Sequence, residues 1–291
     1  MIISDLRKKE DQIGISWYNF ERPFCMIFFR FRVAFEFFWY CIRRPHRNGH
    51  RIHSPFLFAY LQEVVYSKAL EDSSLSAIRL LKYTLSESKE IVSVADFGAG
   101  SHSLKHSQRK VSDISKRSSI THKYGKLLYR TVGYFKSEII IELGTCLGFG
   151  SMYLASGNNK SKLFTMEGSE ELVKKSKENF SQMKMDRITV VPGNFDDTLS
   201  SVFSKQPRVD LFFIDGNHRK TAVLNYFRQC LPYVTDDSVL IVDDIRWSEE
   251  MLEAWREICN HQTVTLSLDL FRLGIVFFNH KLKKQHFKIY Y

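Results

Sequence analysis

The sequence contains no Cys-x-x-Cys pair, so it lacks the spacing that seats structural zinc or shuttles electrons. Its five cysteines, Cys25, Cys41, Cys146, Cys230 and Cys259, are odd in number and scattered, which argues against a disulfide framework and fits a reducing cytoplasm. No apolar stretch is followed by a small-residue cleavage site, so no secretory signal is read. Internal repeats are absent. An uncharged apolar run of membrane-spanning length is missing too: residues 24–42 come nearest, but they carry Arg30, Arg32 and Glu36. Central charges cost about 2.5–3.5 kcal/mol each on insertion, which disfavours a spanning helix. Core material is plentiful, since 44% of residues are hydrophobic, with 24 Phe and 13 Tyr. That composition is a folded protein's, not a disordered chain's.

The 291 residues carry a formal charge of +10. One basic group is Arg30, Arg32, Arg43, Arg44, Arg47 and Arg51; a second runs from Lys105 through Arg109, Lys110, Lys116 and Arg117 to Lys123 and Lys126. Such a balance suits nucleic acid, an anionic membrane, an acidic substrate or a solvated face. Neither an Asn-Pro-Pro-Tyr-type base-flipping motif nor an RNA-binding module is present, so nucleic acid is not the expected partner. The aromatic and basic residues 24–47 fit a helix packed on its own domain, a peripheral membrane contact, or a subunit contact in a homo-oligomer.

Three regions follow from the pattern: an aromatic, basic segment (1–47), a mainly helical region that includes a lid near the substrate opening (48–135), and an α/β domain (136–291). In the second, Ser54 and Pro55 cap and start a helix over 56–66. The polar stretches 67–92 and 101–126 read as helices and loops. In the third, short apolar runs at 139–143, 163–166, 188–191, 210–214 and 238–242 alternate with amphipathic stretches at 169–183, 221–231 and 248–259. This predicts βαβ units in a Rossmann-like, doubly wound, mostly parallel sheet. Runs at 263–271 and 274–279 predict a C-terminal antiparallel hairpin.

Between the first of these strands and its helix lies Glu142-Leu143-Gly144-Thr145-Cys146-Leu147-Gly148-Phe149-Gly150, a glycine-bearing turn of the kind that allows close backbone approach. The second strand ends in Glu167-Gly168, placing a carboxylate where two ribose hydroxyls would donate to it. NAD and adenosylmethionine both fit that pair. Glu142 tips the balance, because a loop carboxylate repels a pyrophosphate and suits a cationic, phosphate-free nucleoside. After the third strand, Asn194 and Phe195 are placed to meet the adenine edge and face, unless they form a plain turn. Val94-Ala95-Asp96-Phe97-Gly98-Ala99-Gly100-Ser101 also resembles an acid-glycine loop, but no acidic second strand follows it.

The fourth strand ends in Asp215-Gly216-Asn217-His218 and the fifth in Asp243-Asp244-Ile245-Arg246. Three carboxylates converging at strand ends repel one another, and an all-oxygen set suits Mg²⁺, Mn²⁺ or Ca²⁺. The alternative is that Asp243 and Asp244 cap the next helix or pair with Arg246 and Arg219. His218 is placed to take a proton from a substrate hydroxyl, or to serve as a structural hydrogen-bonder.

Together these residues resemble the class I S-adenosylmethionine-dependent methyltransferases, above all the metal-dependent O-methyltransferases of the catechol, caffeoyl-CoA and macrolide-sugar types. The resemblance covers about Glu138 to the C-terminus. It reaches back to about Phe38 in a bacterial branch marked by motifs at His53, Asp96, Glu142, Ile214 and Asp243. It implies S-adenosyl-L-methionine held by Glu142, Gly144, Thr145, Gly148, Gly150, Ser151, Glu167, Gly168, Asn194, Phe195 and Asp215. It further implies a divalent metal on Asp215, Asp243 and Asp244, and transfer of a methyl group to a small-molecule hydroxyl. Asp215 and His218 are then the expected catalytic residues, with His218 where the catechol and caffeoyl-CoA enzymes carry lysine. A protein that keeps the fold and the cofactor without turnover, attached to a membrane or partner, is the competing expectation.

Overall fold

The computed structural model describes residues 31–40, 42, 52–68, 72–96 and 105–291. The chain divides into two compact units, Met1–Arg44 and Pro45–Tyr291. In the first unit, residues 31–40 are helical (α1). Phe31, Phe35 and Phe38 recur at helical spacing and all three are exposed, Phe31 at 69%. The rest of the aromatic and basic segment, at 24–30 and 43–47, and the basic Arg51 lie outside the described residues. Among the described residues no helix is long and apolar enough to cross a membrane.

The second unit begins with α2 (Pro55–Tyr60), whose N-cap Ser54 accepts from the Leu57 N–H at 3.3 Å, and continues as a π-helical turn, Leu61–Val65. Next come α3 (Ser73–Ser86), β1 (Ile91–Asp96), β2 (Lys105–Lys110), α4 (Val111–Arg117) and α5 (His122–Phe135). The α/β part runs β3 (Ile139–Leu143), α6 (Phe149–Ser156), β4 (Lys162–Glu167), α7 (Glu170–Gln182), β5 (Ile188–Pro192) and α8 (Phe195–Ser204). It continues β6 (Leu211–Ile214), α9 (Lys220–Cys230), β7 (Val239–Val242), α10 (Glu249–Asn260), β8 (Leu266–Asp269), β9 (Gly274–Phe277) and β10 (Gln285–Lys288).

Eight strands form one sheet in the order β10-β8-β9-β7-β6-β3-β4-β5. Strands β3 to β7 are mutually parallel, and β9 is antiparallel to both β7 and β8. The direction of winding reverses at β3: β4 and β5 build outward on one side, β6 and β7 on the other. That switch point opens a crevice beyond the carboxyl ends of the strands. Four strands are buried along their whole length, β6, β7, β8 and β9; β6, β7 and β9 read as apolar runs, whereas β8, Leu266–Asp269, alternates with Ser267 and Asp269. Helices cover both faces by amphipathic packing. In α10, Met251, Leu252, Trp255 and Ile258 bury one face, while Ser248 caps its start by accepting from the Met251 N–H at 3.1 Å.

The expected α/β architecture and hairpin are present, with two differences. The hairpin β8–β9 is followed by β10, which returns to pair parallel with β8. Residues 105–110, expected among helices and loops, pair with 91–96, which runs into the acid-glycine motif, in an antiparallel two-stranded sheet of their own with Ile91 opposite Lys110. Residues 97–104, between them, lie outside the described residues.

Candidate active site

The backbone around the switch point is tightly interlocked. The Gly144 and Thr145 N–H groups both donate to the Met166 carbonyl at 3.0 Å, and the Asp215 N–H donates to the Leu143 carbonyl at 2.9 Å. Gly144 has φ +102°, and a Cβ there would lie 2.3 Å from the Asp215 carbonyl oxygen. Only glycine satisfies both demands. Non-glycine residues with positive φ recur in this neighbourhood: Cys146 (51°), Asn217 (53°), Asp244 (51°) and Phe271 (71°). Strained backbone of this kind costs of order 1–3 kcal/mol per residue and persists where surrounding structure fixes the loops that shape a site.

The loops enclose a cavity of about 330 Å³, within the range of small-ligand sites. Its wall includes Gly144, Glu167, Gly168, Asn194 and Phe195 from the expected cofactor set, and Asp215, His218 and Asp244 from the expected chemical set. Glu167 is fixed from both sides: Oε2 accepts from the Cys146 N–H at 2.8 Å and Oε1 from the Ser169 N–H at 2.9 Å. Each oxygen retains a lone pair for a hydroxyl of a ligand. Burial, opposed by these backbone donors, raises the Glu167 pKa. Asn194 spends its side-chain oxygen on the Asp196 N–H at 3.1 Å, capping α8.

Other expected residues lie beneath the wall. Glu142 is 1% exposed and accepts from Ser151 Oγ and, at 2.7 Å, from Thr165 Oγ1; Thr165 in turn bonds Thr145. Gly150 passes close over it, since a Cβ there would meet Glu142 Oε1 at 2.6 Å. Glu142, Thr145, Gly148, Gly150 and Ser151 thus brace the loop from below. Burial pushes the Glu142 carboxyl up to about 7. Both states are protonated below about 4.5 and both ionised above about 7, so this group lowers stability progressively as pH rises between those values. The loss is on the order of 3 kcal/mol. Glu142→Gln should flatten that slope; thermal melts at pH 5 and pH 8 check it. A variant whose melting temperature tracks the wild type at both would clear Glu142 of responsibility.

Of the three strand-end carboxylates expected to hold a divalent cation, Asp243 and Asp244 stand against an arginine. Asp243 is fully buried and is gripped side-on by Arg272, with Nε at 2.9 Å from Oδ1 and Nη2 at 2.7 Å from Oδ2; the Asp244 N–H also donates to Oδ1. Arg272 Nε lies 3.3 Å from Asp244 Oδ1. Breaking a buried pair by withdrawing one partner costs about 3–5 kcal/mol. Among the described residues, no group of three or more His, Cys, Asp or Glu side chains is arranged to hold a metal. Neither proposed alternative holds for Asp243: Arg246 pairs with Asp269 and Arg219 bonds Asn217, while Ser248 caps the helix.

The remaining charges titrate together. Burial, with the charges of Asp243 and Asp244 adding to it, raises Asp215 well above the ordinary carboxylate range; burial also lifts Asp244 to about 6. Burial lowers His218, keeping its ring neutral near pH 7. Its Nδ1 is buried without a hydrogen-bond partner, its Nε2 lies 4.0 Å from Asp244 Oδ2, and its ring packs on the exposed Trp247 at 5.9 Å.

Several wall residues were not singled out as site residues from sequence: Arg272, Trp247, Val94 and Ala95, and the basic Arg109 and Arg117. The β1–β2 sheet thus contributes to the site itself, with the Ala95 N–H donating to Ser169 Oγ at 3.3 Å. Arg272 did leave a signal. Asp243-x-x-Arg246 and Asp269-x-x-Arg272 share one spacing, and the two segments exchange arginines.

Comparison with known proteins agrees with this geometry. Residues 141–245 match the family described as "Methyltransferase domain". An O-methyltransferase from Bacillus cereus, solved in complex with SAH, superposes with TM-score 0.51 at 18% identity, covering 75% of this chain and 97% of that one. The O-methyltransferase TomG from Streptomyces achromogenes, involved in tomaymycin synthesis and solved with SAM, gives TM-score 0.52 at 16% identity, covering 74% and 95%. Among curated proteins, uncharacterized protein R132 of Acanthamoeba polyphaga mimivirus is 28% identical over 128 residues, 40% of this chain. The match spans 58% of that relative's length. The fold is that of the class I S-adenosylmethionine-dependent methyltransferases. Residues 141–245 are the stretch that resembles a methyltransferase domain.

Proposed function

We propose that the chain is an O-methyltransferase that moves the methyl group of S-adenosylmethionine to a hydroxyl of a small molecule. The observation that carries this is Glu167: a carboxylate at the end of the second parallel strand, standing in the cavity wall, held by two backbone donors with lone pairs to spare. S-adenosylmethionine, when bound, supplies an electrophilic methyl on a cationic sulfur. Glu167 would accept from its ribose hydroxyls, and Phe195 would pack on its base.

Near the strand ends the acceptor oxygen is to be held at near-attack distance, about 3–3.5 Å from the methyl carbon, where positioning supplies most of the rate. Transfer would form a C–O bond at the expense of the donor's C–S bond, and His218 would take up the hydroxyl proton. A neutral ring with a buried, unpartnered Nδ1 is suited to receive it. The test is calorimetric binding of S-adenosylhomocysteine, followed by a screen for methyl release onto phenols and alcohols. Absence of binding would remove the cofactor from the reading.

A second reading has its own observation, the exposed aromatic face of α1. It assigns the first unit to attachment at an anionic membrane surface. Sedimentation with anionic vesicles, comparing the full chain with one beginning at Asn48, separates this from a subunit contact, which would change oligomer size instead. Cofactor binding without turnover on any acceptor would make attachment the principal role.

A further inference from the structure

We infer that the cation belonging to the strand-end carboxylates is the protein's own Arg272, and that this site works without a divalent metal. The seating of Arg272 stands on its own geometry, and its role toward an acceptor oxygen rests on the methyltransferase reading.

Arg272 sits in the turn between β8 and β9, and that turn is built to deliver it. Its backbone carbonyl accepts from the Ile245 N–H at 3.1 Å, tying the turn to the segment that follows Asp243 and Asp244. Arg246, from that segment, reaches back to grip Asp269 with two bonds of 2.7 Å and the Phe271 carbonyl at 2.9 Å. The two ion pairs are therefore crossed: Arg246 anchors the turn, and the turn presents Arg272 to Asp243. The Arg246–Asp269 pair is nearly sealed from solvent, whereas the Arg272 side chain is 31% exposed and forms part of the cavity wall.

Geometry also makes the occupant complete. Nε and Nη2 fill both oxygens of Asp243 and bring Nε against Asp244, which is the bidentate arrangement that guanidinium planarity favours. The Tyr124 ring lies over the guanidinium carbon at 5.6 Å and closes one face. Among the described residues Nη1 meets no acceptor, so N–H donors remain for an oxygen in the cavity. A fixed positive charge thus stands where an acceptor oxygen would gain negative charge, and it involves no exchangeable ion.

Mn²⁺ titration of the full chain, read by the electron paramagnetic resonance signal of the free ion, tests this directly, with S-adenosylhomocysteine binding measured on the same samples. The wild type should leave millimolar Mn²⁺ free. Arg272→Met vacates the seat and should gain one Mn²⁺ per chain, lost again when Asp243→Asn is added. Stoichiometric uptake by the wild type that Asp243→Asn abolishes would overturn the inference. So would an Arg272→Met protein that binds S-adenosylhomocysteine yet takes up no Mn²⁺. If Arg272→Met does not fold, the wild-type titration alone decides. Failure of the wild type to bind S-adenosylhomocysteine would instead count against the cofactor reading, whatever the Mn²⁺ result.

Discussion

Glu167→Ala should weaken S-adenosylhomocysteine binding by at least a hundredfold. Hydrogen bonds to a charged group contribute about 1.5–3 kcal/mol each, and the two ribose hydroxyls would lose theirs together. The substitution also frees the Cys146 and Ser169 N–H groups that Glu167 now satisfies, so the glycine loop loses a brace at the same time. Glu167→Gln separates the two effects. It keeps an acceptor for one backbone donor and should fall between wild type and alanine. Calorimetry on the three proteins gives the order directly; equal affinities would place the nucleoside elsewhere in the cavity.

Gly144→Ala should abolish cofactor binding and lower the melting temperature by several degrees. The φ of +102° costs an L-residue about 1–3 kcal/mol, and each kcal/mol moves the midpoint of a chain this size by roughly 2–4 °C. The new Cβ must also push against the Asp215 carbonyl, 2.3 Å away, which belongs to backbone and cannot rotate aside. Relief requires the β3 and β6 loops to separate, and these are the two loops that meet at the cavity. Gly193→Ala is the control: its φ is +125°, but its Cβ would meet only the Thr198 methyl, at 3.0 Å. A Gly144→Ala protein as stable as wild type and fully able to bind would show the loops to be less tightly coupled than described.

The central strands were legible because a strand buried on both faces is apolar almost throughout: Val239–Val242 is wholly so, and Ile139–Leu143 is broken only by Glu142. Strands held by pairing alone escaped. Lys105–Lys110 is polar along its length and is a strand through its antiparallel register with β1, and Gln285–Lys288 is a largely exposed edge with one partner. At the site, residues that directly follow a strand were placed by position, among them Glu167, Asp215 and Asp244 in the cavity wall. Glu142 was read as facing the ligand because it precedes the first glycine, but its side chain turns under the loop onto Ser151 and Thr165. Arg272 was missed for a different reason, its repeated Asp-x-x-Arg spacing notwithstanding. It lies 29 positions from Asp243, and the contact exists only because the antiparallel end of the sheet folds back beside β7.

The crossed arginines also govern how the sheet closes. Side chains alternate along a strand, so slipping β8–β9 by one position would turn each of its side chains to the opposite face of the sheet. Two interlocked guanidinium clamps add to the resistance, because a one-step displacement breaks both together and strands Asp243 in the interior. They act as a vernier between the parallel and antiparallel halves, so the feature that sets the electrostatics of the crevice is also a proofreading device for strand alignment.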